Sequence, residues 1–203
     1  MYAYIKGTLE TKSNTYVVID VGGIGYKIFM SLKSMEELGE AGQVVKVYTH
    51  YYVREDNISL YGFVANEELR MFELLLSVSG IGAKSAIAML SEISPSSFAL
   101  AIITNDISKL VKIPGIGNKT AARIVLELKD KLKNDAVGAD LVSAMPEQNA
   151  ASDTKTSEAV SALQVLGYTG REIDKALGQV DINNLDLEEI IKQALKLLGN
   201  VGM

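Results

Sequence analysis

The sequence predicts an α+β, multidomain chain: a small β-barrel followed by two helical domains. Three observations predict it. Short runs of β-branched and aromatic residues fill the first third, an apolar period of 3.6 residues takes over after Asn66, and a polar, small-residue stretch interrupts that period between Asn134 and Ser157.

Residues 1–64 are read as the barrel. Tyr16-Val17-Val18-Ile19, Tyr26-Lys27-Ile28-Phe29 and Val44-Val45-Lys46-Val47-Tyr48 are strand-like, with Gly-rich or charged breaks between them, and Gly22-Gly23-Ile24-Gly25 reads as a hairpin turn. A short helix is predicted from Ser31 to Leu38, capped by Ser31, with Leu32, Met35 and Leu38 on one face. Five strands with one helical insertion describe an OB-type barrel. His50, Tyr51 and Tyr52 are read as barrel residues.

Residues 65–134 are read as about five short helices. Asn66 is the expected N-cap of the first, with Glu67 and Glu68 in its first turn and Leu69, Phe72, Leu75 and Leu76 on its apolar face. Ser94-Pro95 and Asp106 signal further starts. Gly80 and Gly115 mark sharp turns. Residues 135–156, with Ala-Met-Pro-Glu-Gln-Asn-Ala-Ala at their centre, are read as a flexible linker. Residues 157–203 resume apolar spacing as three helices, near Ser157–Leu166, Thr169–Val180 and Leu185–Leu198. A bundle this small is expected to serve as a docking module.

Composition excludes several chemistries. There is no cysteine and one histidine, which removes a disulfide framework, a thiolate or multi-histidine metal site and a cysteine nucleophile. No metal or cofactor is expected. The start, Met1-Tyr2-Ala3-Tyr4-Ile5-Lys6-Gly7, lacks a basic segment leading into an apolar run, and no stretch approaches about 18 apolar residues. The expectation is a cytoplasmic chain with no membrane association. Its net charge of −5 is unevenly spread, at −1 for residues 1–64, +2 for 65–134 and −6 for 135–203. A polyanion is therefore expected on the middle segment, and a protein partner on the acidic last third.

One internal repeat is sharp. Ser79-Gly80-Ile81-Gly82-Ala83-Lys84-Ser85-Ala86 matches Pro114-Gly115-Ile116-Gly117-Asn118-Lys119-Thr120-Ala121 at an offset of 35 residues. In each copy an apolar helix leads in, Gly-Ile-Gly turns the chain with the isoleucine as a buried plug, and the next helix opens on Lys, Ser or Thr, and Ala. This resembles the helix-hairpin-helix motif. Gly80, Gly82, Gly115 and Gly117 let the backbone approach an anion, and the unpaired N–H groups and dipole of the following helix attract it. Lys84 and Lys119 add charge at the same place, Thr120 lies beside the second, and Arg123 extends the cation one turn along. Such contacts position a duplex by its backbone without reading bases. A phosphate-binding loop of the nucleotide-binding kind is excluded, because Ala83 and Asn118 stand where it needs glycine before the lysine.

The order of barrel, paired hairpins, linker and small helical module resembles the RuvA family of Holliday-junction-binding proteins along the whole chain. The most specific stretches are Thr49-His50-Tyr51-Tyr52-Val53-Arg54-Glu55-Asp56, Leu60-Tyr61-Gly62-Phe63 and Leu110 to Ala121, with Ala162-Leu163 to Leu166-Gly167-Tyr168 fitting as well. The resemblance implies a homotetramer, alone or as two tetramers forming an octamer, holding a four-way junction open and square. It implies a RuvB ATPase partner that drives branch migration, with RuvC resolvase as a further partner. Glu55 and Asp56 match the family's acidic pin, whose carboxylates would repel converging phosphates, and Arg54 beside them would contact one. Without the resemblance, Arg54-Glu55-Asp56-Asn57 is a solvated hairpin turn. The C-terminal module resembles a ubiquitin-associated-type (UBA-like) bundle. There Leu163, Leu166 and Tyr168 are candidates for an exposed partner-binding patch or for the core, and the sequence leaves both open. Asn118 departs from the family pattern, standing where many relatives have a second lysine.

Two rival functions share parts of this pattern. Glycosylases, nucleases and ligases also carry such hairpins, but Asp130 lies on the charged face of a helix, and no carboxylate cluster or nucleotide-pocket lysine can be placed. The expectation is a chain that is not an enzyme by itself. The other rival is a general duplex-backbone binder without junction preference.

Overall fold

The computed structural model describes residues 2–55, 57–137 and 150–200. The strands are β1 (Tyr4–Lys12), β2 (Tyr16–Val21), β3 (Ile24–Phe29), β4 (Val44–Val53) and β5 (Ile58–Phe63), with helix α1 (Leu32–Glu37) between β3 and β4. They close a barrel in the order β1-β2-β3-β5-β4. Neighbours are antiparallel except β3 and β5, which meet in parallel at Phe29 and Tyr61. Alternate residues point inward, so Ile5, Leu9, Val17, Ile19, Ile28 and Val47 fill the interior while their neighbours face out. The expected turn at Gly22-Gly23 joins β2 to β3, and Gly23 N–H donates to Asp20 Oδ1 at 3.2 Å.

Ser31 caps α1 as expected, its hydroxyl accepting from Ser34 N–H. The expected apolar face holds for Met35 and Leu38 but not for Leu32, which is 56% exposed. Leu32 is the first helical residue and lines a cavity of about 440 Å³ between the barrel and helix α3 (Ala83–Glu92).

Helix α2 (Asn66–Leu76) already includes Asn66, which therefore is not its N-cap. Glu68 instead ties the first turn to the chain before it, its carboxylate accepting from Val64 N–H at 3.3 Å and from Ser34 Oγ at 2.9 Å. The buried face is Glu68, Met71, Phe72 and Leu75, with Leu69 and Leu76 only half-buried. Phe72 packs within 5.1 Å of the Tyr61 ring and 5.0 Å of Phe63, which ties α2 to the barrel. Burial pushes the Glu68 carboxyl above the usual carboxylate range, and donation from Ser34 offsets part of that. The native state then holds this proton at a higher pH than the unfolded chain does. Stability falls as pH rises from about 4.3, the ordinary glutamate value, through the raised native one. Glu68→Gln is expected to flatten that decline, as read from urea midpoints between about pH 4 and pH 7. Glu67, raised by burial in the same direction, leaves a residual slope.

Five helices make up the central region, as predicted: α2, α3, α4 (Pro95–Ile103), α5 (Ile107–Val111) and α6 (Asn118–Val137). Ser94 caps α4 and Asp106 caps α5, each accepting from the N–H three residues on. The helices α7 (Ala150–Val165), α8 (Gly170–Leu177) and α9 (Leu187–Asn200) follow. Thr169 and Glu172 form a reciprocal capping box at α8. At the edges of the expected linker, α6 runs to Val137 and α7 begins at Ala150; the rest of that stretch, 138–149, lies outside the described residues.

The chain divides into two compact units, Met1–Leu76 with Gly82–Glu92, and Ser77–Ile81 with Ile93–Met203. The first thus gathers the barrel with α2 and α3. In the second, α7 and α9 pack on α4, and Glu188 accepts from Ser97 Oγ and lies 3.7 Å from Lys109 Nζ.

Candidate nucleic-acid interface

The repeat seen in the sequence is a repeat in geometry. Gly80 has φ +84° and Gly115 φ +83°, a left-handed conformation that a Cβ would strain. One residue on, Ile81 N–H donates to Val78 O at 3.1 Å and Ile116 N–H to Ile113 O at 3.0 Å. Both isoleucines are 7% exposed, the plugs that the pattern predicts. The next helix then engages in the same way twice, with Ala86 N–H donating to Gly82 O at 3.0 Å and Ala121 N–H to Gly117 O at 2.9 Å. Both alanines are fully buried, so each helix is pressed against its neighbours where its first turn begins.

What this leaves in solvent is the part expected to meet an anion. Gly80, Gly115 and Gly117 are exposed, Gly82 is partly so, and a Cβ added at Gly82, Gly115 or Gly117 would meet nothing within 4 Å. Lys84 and Lys119 are exposed, and among the described residues neither takes part in a salt bridge. Each is the second residue of its helix, where cation and helix dipole add. Thr120 is half-buried beside Lys119.

Arg123, expected to extend the cation along the second hairpin, is exposed and also reaches the first. Its Nη1 donates to Ser79 O at 3.3 Å and lies 3.3 Å from where a Cβ on Gly80 would stand, so it reaches the loop of the first hairpin. Glu127, four residues further along α6, accepts from Ser79 N–H at 3.0 Å. Sequence reasoning missed Ser79 and Glu127. The only trace was the four-residue spacing of Arg123 and Glu127, which puts both on one helix face but does not show that their partner is backbone from another hairpin.

At the barrel, Arg54 N–H donates to Asn57 O at 2.8 Å and Asn57 N–H to Arg54 O at 3.4 Å, closing a tight hairpin between β4 and β5. Glu55 is exposed at its tip, and Asp56 lies outside the described residues. Arg54 is exposed, with its Nε donating to Tyr52 Oη at 2.8 Å and its guanidinium carbon 5.2 Å from that ring. His50 is a structural residue, its Nδ1 3.0 Å from Glu73 Oε1 and its ring edge-on to Phe72 at 5.4 Å.

In the C-terminal bundle Leu163, Leu166 and Tyr168 are 0%, 2% and 5% exposed. The exposed-patch alternative does not hold: all three are buried, as are Ile173, Leu177, Ile190 and Leu195 of the helices that follow. They end α7 and begin the turn into α8, the point where three short helices converge.

Among the described residues no group of three or more His, Asp and Glu side chains is placed to hold a metal ion, and no single helix is long and apolar enough to cross a membrane. Family models cover most of the chain. Residues 1–62 match the RuvA N terminal domain, 72–130 the SAM-like helix-hairpin-helix tandem, and 154–199 the RuvA C-terminal domain. The chain is 52% identical over 200 residues to the Holliday junction branch migration complex subunit RuvA of Acetivibrio thermocellus, covering 98% of this chain and 99% of that one. It is 49% identical to the protein of the same name from Ruminiclostridium cellulolyticum, over 98% and 100% of the two chains, and 46% identical to that of Clostridium perfringens, over 98% and 99%. With the barrel, both hairpins and the C-terminal bundle each matched in order, the chain belongs to the RuvA family.

Proposed function

We propose that this chain binds four-way DNA junctions by their phosphate backbone, holds them open and square, and recruits a RuvB-type ATPase for branch migration in recombination and repair. The observation that carries the reading is the duplicated hairpin, with matched glycine φ angles, matched backbone hydrogen bonds and an exposed lysine at the same position of each copy. The relatives' printed name, a subunit of the Holliday junction branch migration complex, supports the junction as the target.

Roles follow from chemistry. Gly80, Gly82, Gly115 and Gly117 let phosphate reach backbone N–H groups, while Lys84 and Lys119 neutralise it, with Thr120 as an additional donor. Arg54 contacts a phosphate near the centre of the assembly, where Glu55 and Asp56 keep converging strands apart. Four copies form a ring around the crossover, and one or two such tetramers enclose the DNA. The chain itself is a non-catalytic subunit in the cytoplasm; ATP hydrolysis belongs to the RuvB partner, and RuvC resolvase is a further partner on the same junction.

The test is a gel-shift titration in moderate salt without divalent metal, with a synthetic four-way junction against linear duplex of the same arm sequence. Preference for the junction is expected. Equal binding would favour the second reading, a general duplex-backbone binder, and binding to neither would reduce the hairpins to structural turns.

Ending the chain at Val137 is expected to leave junction binding intact while abolishing stimulation of the ATPase, measured as phosphate release with RuvB and junction present. Loss of junction binding in that truncation would contradict the division of labour between hairpins and C-terminal bundle.

A further inference from the structure

We infer that Arg123 and Glu127 of α6 form a clasp on Ser79 that sets the position of the first hairpin's loop relative to the second, making both residues positioning groups for duplex binding. This rests on the DNA-backbone reading above. The clasp is two-sided. Ser79 N–H donates to Glu127 Oε2 at 3.0 Å, and Ser79 O accepts from Arg123 Nη1 at 3.3 Å. A single residue of an exposed loop thus has both its backbone groups held by side chains one helical turn apart.

The helix that supplies them is the one whose own start, at Gly117, Asn118 and Lys119, is the second hairpin's anion-binding end. The element that presents the second loop therefore grips the first. Two loops that contact one duplex must match the fixed spacing of its phosphates, and each lost degree of freedom before binding is one that binding need not remove.

Electrostatics sharpens the assignment. A carboxylate beside a loop built for phosphate repels the ligand, so removing Glu127 on charge grounds alone should tighten DNA binding. The clasp predicts the opposite sign. Gly80 is involved as well: its φ of +84° strains any residue with a Cβ, and a Cβ there would stand 3.3 Å from the Arg123 guanidinium, which would have to shift by a few tenths of an ångström.

The experiment compares the wild-type chain with Glu127→Ala, Glu127→Gln and Glu127→Asp. It reads junction and duplex affinity at several salt concentrations, thermal melting, and amide hydrogen exchange at Ser79. Glu127→Ala is expected to lose Ser79 protection and to bind about tenfold more weakly, the scale of one lost hydrogen bond to a charged group. Its slope of log K against log salt should stay unchanged, because no phosphate contact is lost. Glu127→Gln keeps an acceptor and should bind nearly as wild type. Glu127→Asp keeps the charge but not the reach, and should weaken binding in the same way, which holds the test open if the alanine variant does not fold. Equal or tighter binding by the folded alanine or aspartate variant would overturn the clasp. Failure of the wild-type chain to bind either DNA would overturn the underlying reading instead, and Ser79 protection would still report the hydrogen bond separately.

Discussion

Lys84→Ala combined with Lys119→Ala is expected to weaken four-way junction binding about a hundredfold, roughly tenfold for each lost phosphate contact, and to flatten its salt dependence. Each phosphate contact released should lower the slope of log K against log salt by about 0.9. Linear duplex binding should fall in parallel, since on the proposed reading these lysines meet backbone and no base edge. Folding should be untouched, because both side chains are exposed and take part in no salt bridge among the described residues. Lys196→Ala, at an exposed position of α9, serves as the control for a mere change in net charge. The measurement is a salt series of gel shifts or fluorescence anisotropy titrations. An unchanged slope would remove the hairpins from the interface, whatever happened to the affinity at one salt concentration.

The paired hairpins were legible because their pattern is local. Glycine is forced where φ is positive, isoleucine where a plug is needed, and alanine where the next helix is pressed in, so eight residues carry the geometry by themselves. The barrel was legible for a similar reason, since strands with one dry face must alternate. Features that depend on distant partners were not. Asn66 has the chemistry of an N-cap, yet the helix already includes it, and Glu68 in its first turn accepts from Val64 N–H and from Ser34 on another element. Leu32 sits at helical spacing from Met35 but opens onto a cavity. The three apolar residues at the end of α7 suit a binding patch and a core equally well in a bundle of this size, and only packing decides that they are core. The spacing of Arg123 marks it as a cation near the second hairpin but not as a donor to the first loop.

Neutralising the hairpin tip between β4 and β5, by Glu55→Gln with Asp56→Asn, is expected to raise affinity for linear duplex while changing junction affinity far less, so that the junction-to-duplex ratio falls by roughly tenfold. Two like charges about 4 Å apart in water repel by about 1 kcal/mol. In the proposed fourfold assembly each subunit would bring its own tip to the same centre, where a continuous duplex would press phosphates against carboxylates and an open crossover would not. The turn should survive the change, because Arg54 and Asn57 hold it through backbone hydrogen bonds that neither substitution touches. Screening supplies an internal check. The Debye length is about 10 Å at 0.1 M salt and about 3 Å at 1 M, so the gain in duplex affinity should shrink steadily as salt rises. A ratio that stays at the wild-type value at low salt would make the tip an ordinary solvated turn, and junction preference would then have to come from the shape of the assembly alone.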